Sequence, residues 1–302
     1  MIFFLTANKS MRCFGFVLTA ALMVIGGCGM MRSTATDTII DSVPIPPADT
    51  LKVRSFNGSI KVSPGPDDKV SWIAKRSARG TSEAAATANL DSLRVVTSIE
   101  DDQFVLGFEK PDQFRGGLSF EVMVPSTWMV DAQTSNGAIE TEVFAPVKLR
   151  TSNGRIRIDN AASNVEARTS NGSIRLSTSS DVRLELETSN GSVTVDAPVA
   201  VGDNDVSTRN GRITFDLRNH PVDVQADTSN GKVRLGDQSF GTSGRATLGS
   251  ALWGTTGDAS ALVNVDRNLD CHTSNGSITV RFVESDPLPT DGFIQLDEVV
   301  TD

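Results

Sequence analysis

Between residues 51 and 283 apolar and polar positions alternate with a period of two, and the pair Asn-Gly interrupts the alternation at intervals. The pair occurs eight times, at Asn57, Asn136, Asn153, Asn171, Asn190, Asn210, Asn230 and Asn275, where a chain with this Asn and Gly content would hold about one by chance. Successive spacings are 79, 17, 18, 19, 20, 20 and 45 residues. With the copies aligned on Asn, the third residue after it is always β-branched: Ile60, Ile139, Ile156, Ile174, Val193, Ile213, Val233 and Ile278. The fourth residue before it is Val53, Ala132, Leu149, Ala167, Leu186, Val206, Ala226 or Cys271, and the sixth before is apolar in every copy except Asn204. Positions in between are mostly charged or small and polar. This pattern predicts a strand, a bend at Asn-Gly and a second strand, each with one dry and one wet face.

The residue two before Asn is Thr in seven copies and Ser55 in the eighth, and its parity places it on the dry side. An inward hydroxyl beside a bend is expected to pair a turn amide, and Asn and Gly are expected to supply a positive φ. Two architectures fit. Asn-Gly is the strongest short hairpin signal and would produce an antiparallel meander. In a solenoid it is instead a corner, and like positions of successive coils stack in parallel register. A repeat of 17–20 residues and the recurrence of the same Thr-Ser-Asn-Gly favour the solenoid, as does the scarcity of helical segments that could cover a flat sheet. The predicted fold class is therefore all-β, a single-stranded parallel β-solenoid with a small helix-containing excursion near its N-terminal end.

Segments such as Thr151-Ser152-Asn153-Gly154-Arg155-Ile156 and Thr169-Ser170-Asn171-Gly172-Ser173-Ile174 resemble the Ser-Asn/Ser-Gly-x-Ile repeats of the DUF4097 adhesin-like family, over about residues 50–283. The resemblance implies an extracytoplasmic β-solenoid and names no ligand. The departure from the array lies at 236–268, where Gly241, Gly244, Gly249, Gly254 and Gly257 suggest an irregular coil or loop. Within 51–128, Thr81 or Ser82 can cap a short helix running to about Leu93, with Ala85, Ala86, Leu90 and Leu93 as its apolar side. Strands are expected at 94–99, 103–108 and 118–124, the first two joined by a turn at Asp101-Asp102. This excursion is expected to cap the N-terminal edge of the array over 129–283, and the acidic tail 284–302 to do likewise at the other end.

The N-terminus follows a different pattern. Lys9 and Arg12 precede an apolar run from Phe14 to Ile25, too short to span a bilayer and well sized for a signal peptide. It leads into Ile25-Gly26-Gly27-Cys28, which resembles a bacterial lipobox, so residues 1–27 are expected to be removed and Cys28 to take lipid such as palmitate. More than one acyl chain, at about 0.8 kcal/mol per buried CH2, anchors stably. Residues 28–50, rich in Ser, Thr and Pro, are expected to be a flexible tether. Removal of 1–27 takes away Lys9 and Arg12 and no acid, moving the net charge from −9 to −11. Cys13 leaves too, so Cys271 has no disulfide partner and packing must stabilise the exported domain.

The acidic balance excludes the electrostatic footprint of a nucleic-acid binder, and two His with scattered Cys exclude a structural zinc site. No cofactor or metal is expected. Cys271 and His272 point to opposite faces of a strand, so they cannot form a thiol-base dyad. The glycines of 244–249 lack the Lys of a phosphate loop, and Asp203-Asn204-Asp205 lacks the alternation of a calcium loop. What remains is the wet face after the corner, where Arg155, Arg157, Arg175, Arg212, Lys232 and Arg234 would line up as a candidate binding stripe for anionic envelope glycan or lipid headgroups, with acids before Asn available to neutralise them. The expected function is a non-enzymatic, lipid-anchored binding or structural module of the bacterial envelope, at the outer membrane if there is one, partnered by membrane and by glycan or protein. The alternative is a carbohydrate-active β-helix enzyme, a polysaccharide lyase or hydrolase using outward Asp205, Asp227 and Asp270.

Overall fold

The computed structural model describes residues 16–18, 33–142, 145–218, 222–248 and 266–283. Cys28 and the remainder of 1–32, His220, Trp253, three of the glycines beyond 248 and the tail 284–302 lie outside the described residues. Among those described, the chain forms one helix and two large sheets, and the strands on either side of Asn-Gly belong to different sheets.

Strands that follow the corner stack in parallel and in register, with Ile139 between Ile60 and Ile156, then Ile174, Val193 and Ile213. Strands that precede the corner do the same in the second sheet, with Ala132, Leu149, Ala167, Leu186 and Val206 in line. Parallel pairing between copies is the solenoid arrangement and excludes the meander. Every inward column predicted from parity is buried, from Ile60 and Val62 to Ile278 and Val280. Each fully buried Val, Leu or Ile contributes roughly 1.5–3 kcal/mol relative to exposure, so the stack is its own core. Cys271 occupies one such place, in line with Val206 and Ala226.

Asn204 is the polar exception in its column and is fully satisfied. Its Oδ1 accepts from the Leu184 amide at 3.0 Å, and its Nδ2 lies within 3.1 Å of the carbonyls of Ala200, Gly202 and Asn268. Burying an amide without such partners would cost several kcal/mol, roughly 2–7. Here it ties three coils together at the bend before Gly202.

The corner works differently from the expectation. None of the corner Asn or Gly residues has a positive φ. Glycine is needed because a Cβ on Gly172 would overlap the carbonyl oxygen of Gly154, and the same clash recurs at Gly137, Gly154, Gly191, Gly211, Gly231 and Gly276. The inward Thr does not pair an amide of its own turn. Its hydroxyl donates to the corner glycine carbonyl of the adjacent coil: Thr151 to Gly137, Thr169 to Gly154, Thr188 to Gly172 and Thr208 to Gly191, all within 2.9–3.1 Å. Thr, with a methyl for the core and a hydroxyl for that carbonyl, is the residue that satisfies both neighbours.

Among the Asn-Gly coils, spatial order departs from chain order at one place. The coil of Asn275, built from Arg267–Asn275 and Ile278–Val283, lies between that of Asn210 and that of Asn230 in both sheets. After Arg218 the chain skips one layer, forms the terminal coil from Val222–Asn230 and Val233–Leu235, and later returns to fill the gap. Residues 236–248 are not the irregular segment expected. Gln238–Phe240 and Ser243–Leu248 are antiparallel strands that extend each sheet beyond the terminal coil.

The N-terminal end is built on the same plan. The expected helix spans Glu83–Asp91, with Ser82 rather than Thr81 as its N-cap, and the expected turn at Asp101-Asp102 is present, with positive φ at both residues. The helix packs Ala86 and Leu90 against Ala35, Ala78 and Phe114 rather than sealing the first coil. The seal is made of strands: Gly116–Val124 pairs in parallel with Ile60–Pro64, and Gln103–Glu109 with Thr50–Arg54. Lys69–Gly80 and Arg94–Glu100 then add antiparallel strands outside these. The tether expectation is corrected for residues 33–44. Ser33–Pro44 is a twelve-residue strand paired along its whole length with Lys69–Gly80, and the short strand Phe16–Leu18 pairs on its far side. The Thr and Ser residues that suggest a loose linker are the alternate residues of an outlying strand, anchored at Ala35 and Val43.

Two substitutions test the corner. Gly172→Ala is expected to destabilise by about 1–3 kcal/mol, because the stacked backbone must move to admit a methyl group. Thr188→Val keeps shape but strips the Gly172 carbonyl of its donor, and should cost about 1–3 kcal/mol. Urea midpoints at unchanged m-value would show both, and a neutral Gly172→Ala would refute the close-approach account.

Candidate functional site

The outward feature common to all coils is a file of carboxamides. Each corner Asn donates from Nδ2 to the Oδ1 of the Asn in the adjacent coil, in the order Asn57, Asn136, Asn153, Asn171, Asn190, Asn210, Asn275, Asn230, at 2.6–2.9 Å. The seven bonds run in one direction, and Asn57 closes the near end by donating to the Gly116 carbonyl. All eight residues are exposed, so the ladder forms a polar ridge along the solenoid.

The predicted cationic stripe lies beside this ridge on the outer face of the post-corner sheet. Read across the stack, the position two after Asn carries Ser59, Ala138, Arg155, Ser173, Ser192, Arg212, Ser277 and Lys232, and the position four after carries Lys61, Glu140, Arg157, Arg175, Thr194, Thr214, Thr279 and Arg234. Arg157 and Arg175 are register neighbours. The coil of Asn190 separates this group from Arg212, and the inserted coil of Asn275 separates Arg212 from Lys232 and Arg234. The six residues therefore form three cationic groups spaced by Ser and Thr, not one continuous stripe.

Neutralisation comes from a source other than the one expected. The acids before Asn sit on the other sheet and pair with cations there: Asp131 with Arg54 at 2.6 Å, Glu166 with Lys148 at 2.8 Å, and Glu185 with Arg168. On the post-corner sheet, Arg157 pairs with Asp159 at 2.6 Å, which raises its pKa, and Arg155 stands 4.0 Å from Glu140. Asp196 and Asp216 are taken up by Arg218 and Arg281, residues outside the predicted stripe that join adjacent coils. Among the described residues, Arg175, Arg212, Lys232 and Arg234 have no ion pair; Arg212 donates to Ser277 Oγ at 3.1 Å. Exposed pairs of this kind add only about 0–1 kcal/mol each, so the cations are not there chiefly for stability.

The opposite sheet carries the acids of the enzymatic alternative. Asp205 and Asp270 are register neighbours, as are Asp227 and His272. Burial, followed by the charges of Asp270 and Glu185, pushes the Asp205 carboxyl above its ordinary value of 3.8. Cys271 faces the core and His272 faces solvent, as strand parity requires. Burial, with Asp205 and Asp270 adding to it, drives the Cys271 thiol far above its usual range, so it holds no thiolate nucleophile at neutral pH.

The family model described as Toastrack DUF4097 matches residues 20–288. No curated protein shows significant sequence similarity to the chain. Among solved structures, a candidate cell-adhesion protein from Clostridium sporogenes ATCC 15579 is similar at 9% identity and a TM-score of 0.35, covering 82% of this chain and 100% of its own. A candidate adhesin from Bacteroides fragilis NCTC 9343 is similar at 10% identity and a TM-score of 0.39, covering 82% and 97%. A candidate lipid-binding protein from Parabacteroides distasonis ATCC 8503 is similar at 10% identity and a TM-score of 0.28, covering 81% and 96%.

The Asp205–Asp270 neighbours generate a pH prediction. The folded chain keeps the Asp205 proton to a higher pH than the unfolded chain, so this group's contribution to stability falls as pH rises from 3.8 through the raised value. Asp205→Asn is therefore expected to stabilise at pH 7 by about 0.2–1 kcal/mol, the usual range for a cross-strand pair, and to match the wild type below the carboxylate range. Thermal melts at both pH values measure this.

Proposed function

From the premise that the chain belongs to the DUF4097 Toastrack family, we propose that it is a non-enzymatic, adhesin-like module of the bacterial cell envelope, exported and anchored through lipidated Cys28. It meets envelope glycan or protein through the outer face of its post-corner strands. The observation that carries this reading is the combination of the amide ridge with unpaired cations. Arg175 and Arg234 project from strands held at the ~4.8 Å spacing of a sheet, and Arg212 and Lys232 from the residue just before such a strand. Anionic groups repeated along a polymer can be met by such an array, with each contact weak and the sum strong. Anchoring the acidic domain at its N-terminal end would leave this face free.

Three measurements test the proposal. Labelled palmitate is expected in the wild type and absent in Cys28→Ala, with the variant released from the membrane fraction. Replacing Arg175, Arg212, Lys232 and Arg234 by Ala is expected to leave the melting temperature within a few degrees and to lower retention on isolated envelopes at least tenfold. Turnover of a polysaccharide panel, abolished by Asp270→Asn, would instead establish the carbohydrate-active reading.

A further inference from the structure

A second site lies away from the outer columns, at the N-terminal end. There the helix, the segment 111–117 and the first two corners enclose an open cleft of about 960 Å³. Its lining includes Arg79 and Arg115 and contains no carboxylate, although the protein as a whole carries a net charge of −9. The Arg79 amide donates to the Arg115 carbonyl at 2.8 Å, so the two residues are neighbours across the end of one strand pair. Neither guanidinium has an ion pair among the described residues. By contrast, Arg54, Arg76, Arg168, Arg218 and Arg281 are all paired with acids.

The walls are otherwise neutral and rich in hydrogen-bonding groups. Asn57 and Asn136, the first two rungs of the ladder, each use one Nδ2 hydrogen in known bonds and keep the second, and Gln113 adds another carboxamide. The Phe114 ring also lines the cleft, held edge-on against Phe56 with centroids 5.8 Å apart. The site is preorganised. Asn89 donates to the Arg79 carbonyl at 2.8 Å, clamping the helix to its strand. At Gly116 and Gly117 a Cβ would strike the carbonyls of Ser77 and Asn57, so the floor cannot be filled by side chains.

We infer that this cleft is a binding site for an acidic oligosaccharide, whose carboxylate, sulfate or phosphate meets Arg79 and Arg115 while its hydroxyls bond the carboxamides and a sugar face rests on Phe114. A guanidinium binds planar or tetrahedral oxyanions in bidentate fashion, and this cleft has two in its lining. The volume far exceeds what an isolated anion needs and falls in the range of small-molecule sites. Amides and hydroxyls without acidic residues match a ligand that is anionic and rich in hydroxyls. The cleft shares no residue with the Arg175, Arg212, Lys232 and Arg234 array, so the two readings fail separately.

The test is calorimetric titration of the folded domain with oligosaccharides bearing uronate, sulfate or phosphate, each matched with its neutral counterpart, and with inorganic phosphate and phosphatidylglycerol vesicles. At least one acidic sugar is expected to bind at least tenfold tighter than its neutral match. Arg79→Gln and Arg115→Gln should each weaken it about tenfold or more, the loss expected of a charge-assisted hydrogen bond. Phe114→Leu should weaken acidic and neutral sugars alike. Both arginines are exposed and have no ion pair among the described residues, so the variants should melt with the wild type, and in the Ala variant of the outer array the dependence on Arg79 and Arg115 should persist. Equal affinity for acidic and neutral sugars would overturn the inference. So would binding of inorganic phosphate as tight as that of the sugar, vesicle binding without sugar binding, or indifference to both arginine variants.

Discussion

Everything in this molecule depends on how closely one corner can lie on the next. A glycine carbonyl points at the α-carbon of the glycine above it, with no room for a methyl group between them. That carbonyl is removed from water and must be paired, and the Thr hydroxyl of the adjacent coil pairs it. On the solvent side of the same corner, the Asn carboxamides bond one another along the stack. Three residues thus serve one contact: Gly permits it, Thr satisfies its buried side and Asn its exposed side. The apolar columns then fall into register, because a one-residue slip would turn every inward Ile and Val to solvent.

The same contact explains why coil order can differ from chain order. Every corner from Asn136 onward carries the same Thr, Asn and Gly, so the Asn210 corner accepts any of these copies above it. The occupant is the Asn275 coil, 65 residues away, rather than the Asn230 coil 20 residues away. Arg281 reinforces the choice by meeting Asp216 in a bidentate pair, and Asn204 by reaching the Asn268 carbonyl. The terminal coil depends on the inserted one for its contact with the array. Assembly of that end therefore waits on a pairing distant in sequence, which raises contact order and slows folding.

At both ends the parallel array gives way to antiparallel strands. This moves the open edge away from the repeats, whose parallel strands would template further copies, and onto irregular strands with charge and Pro. It also makes room for function. The helix and the 111–117 segment, which the repeat does not need, enclose a cleft lined by two arginines and no carboxylate, while the coils present regular columns. Repeat and excursion contribute different kinds of surface, one extended and one concave.

Much of this was legible in the sequence. Period-two parity identified the buried columns and placed Cys271 inside and His272 outside, while capping and turn residues narrowed the helix start to Thr81 or Ser82 and located the Asp101-Asp102 turn, because each depends on residues within a few positions of one another. The corner chemistry was visible as a repeated Thr-x-Asn-Gly but not its partner, since the hydroxyl and the carbonyl it pairs belong to different coils. Strand Ser33–Pro44 was missed because an outlying strand with few buried positions has the composition of a linker. The cationic groups were readable residue by residue, whereas their breaks at the Asn190 and Asn275 coils, and the unpaired Arg79 beside Arg115, were not. Sequence by itself determined the coil, its faces and its corner residues, all of which are local. Only the tertiary structure decided which coil lies on which and which charges meet, because identical corners make every stacking order locally equivalent and only the path of the chain selects among them.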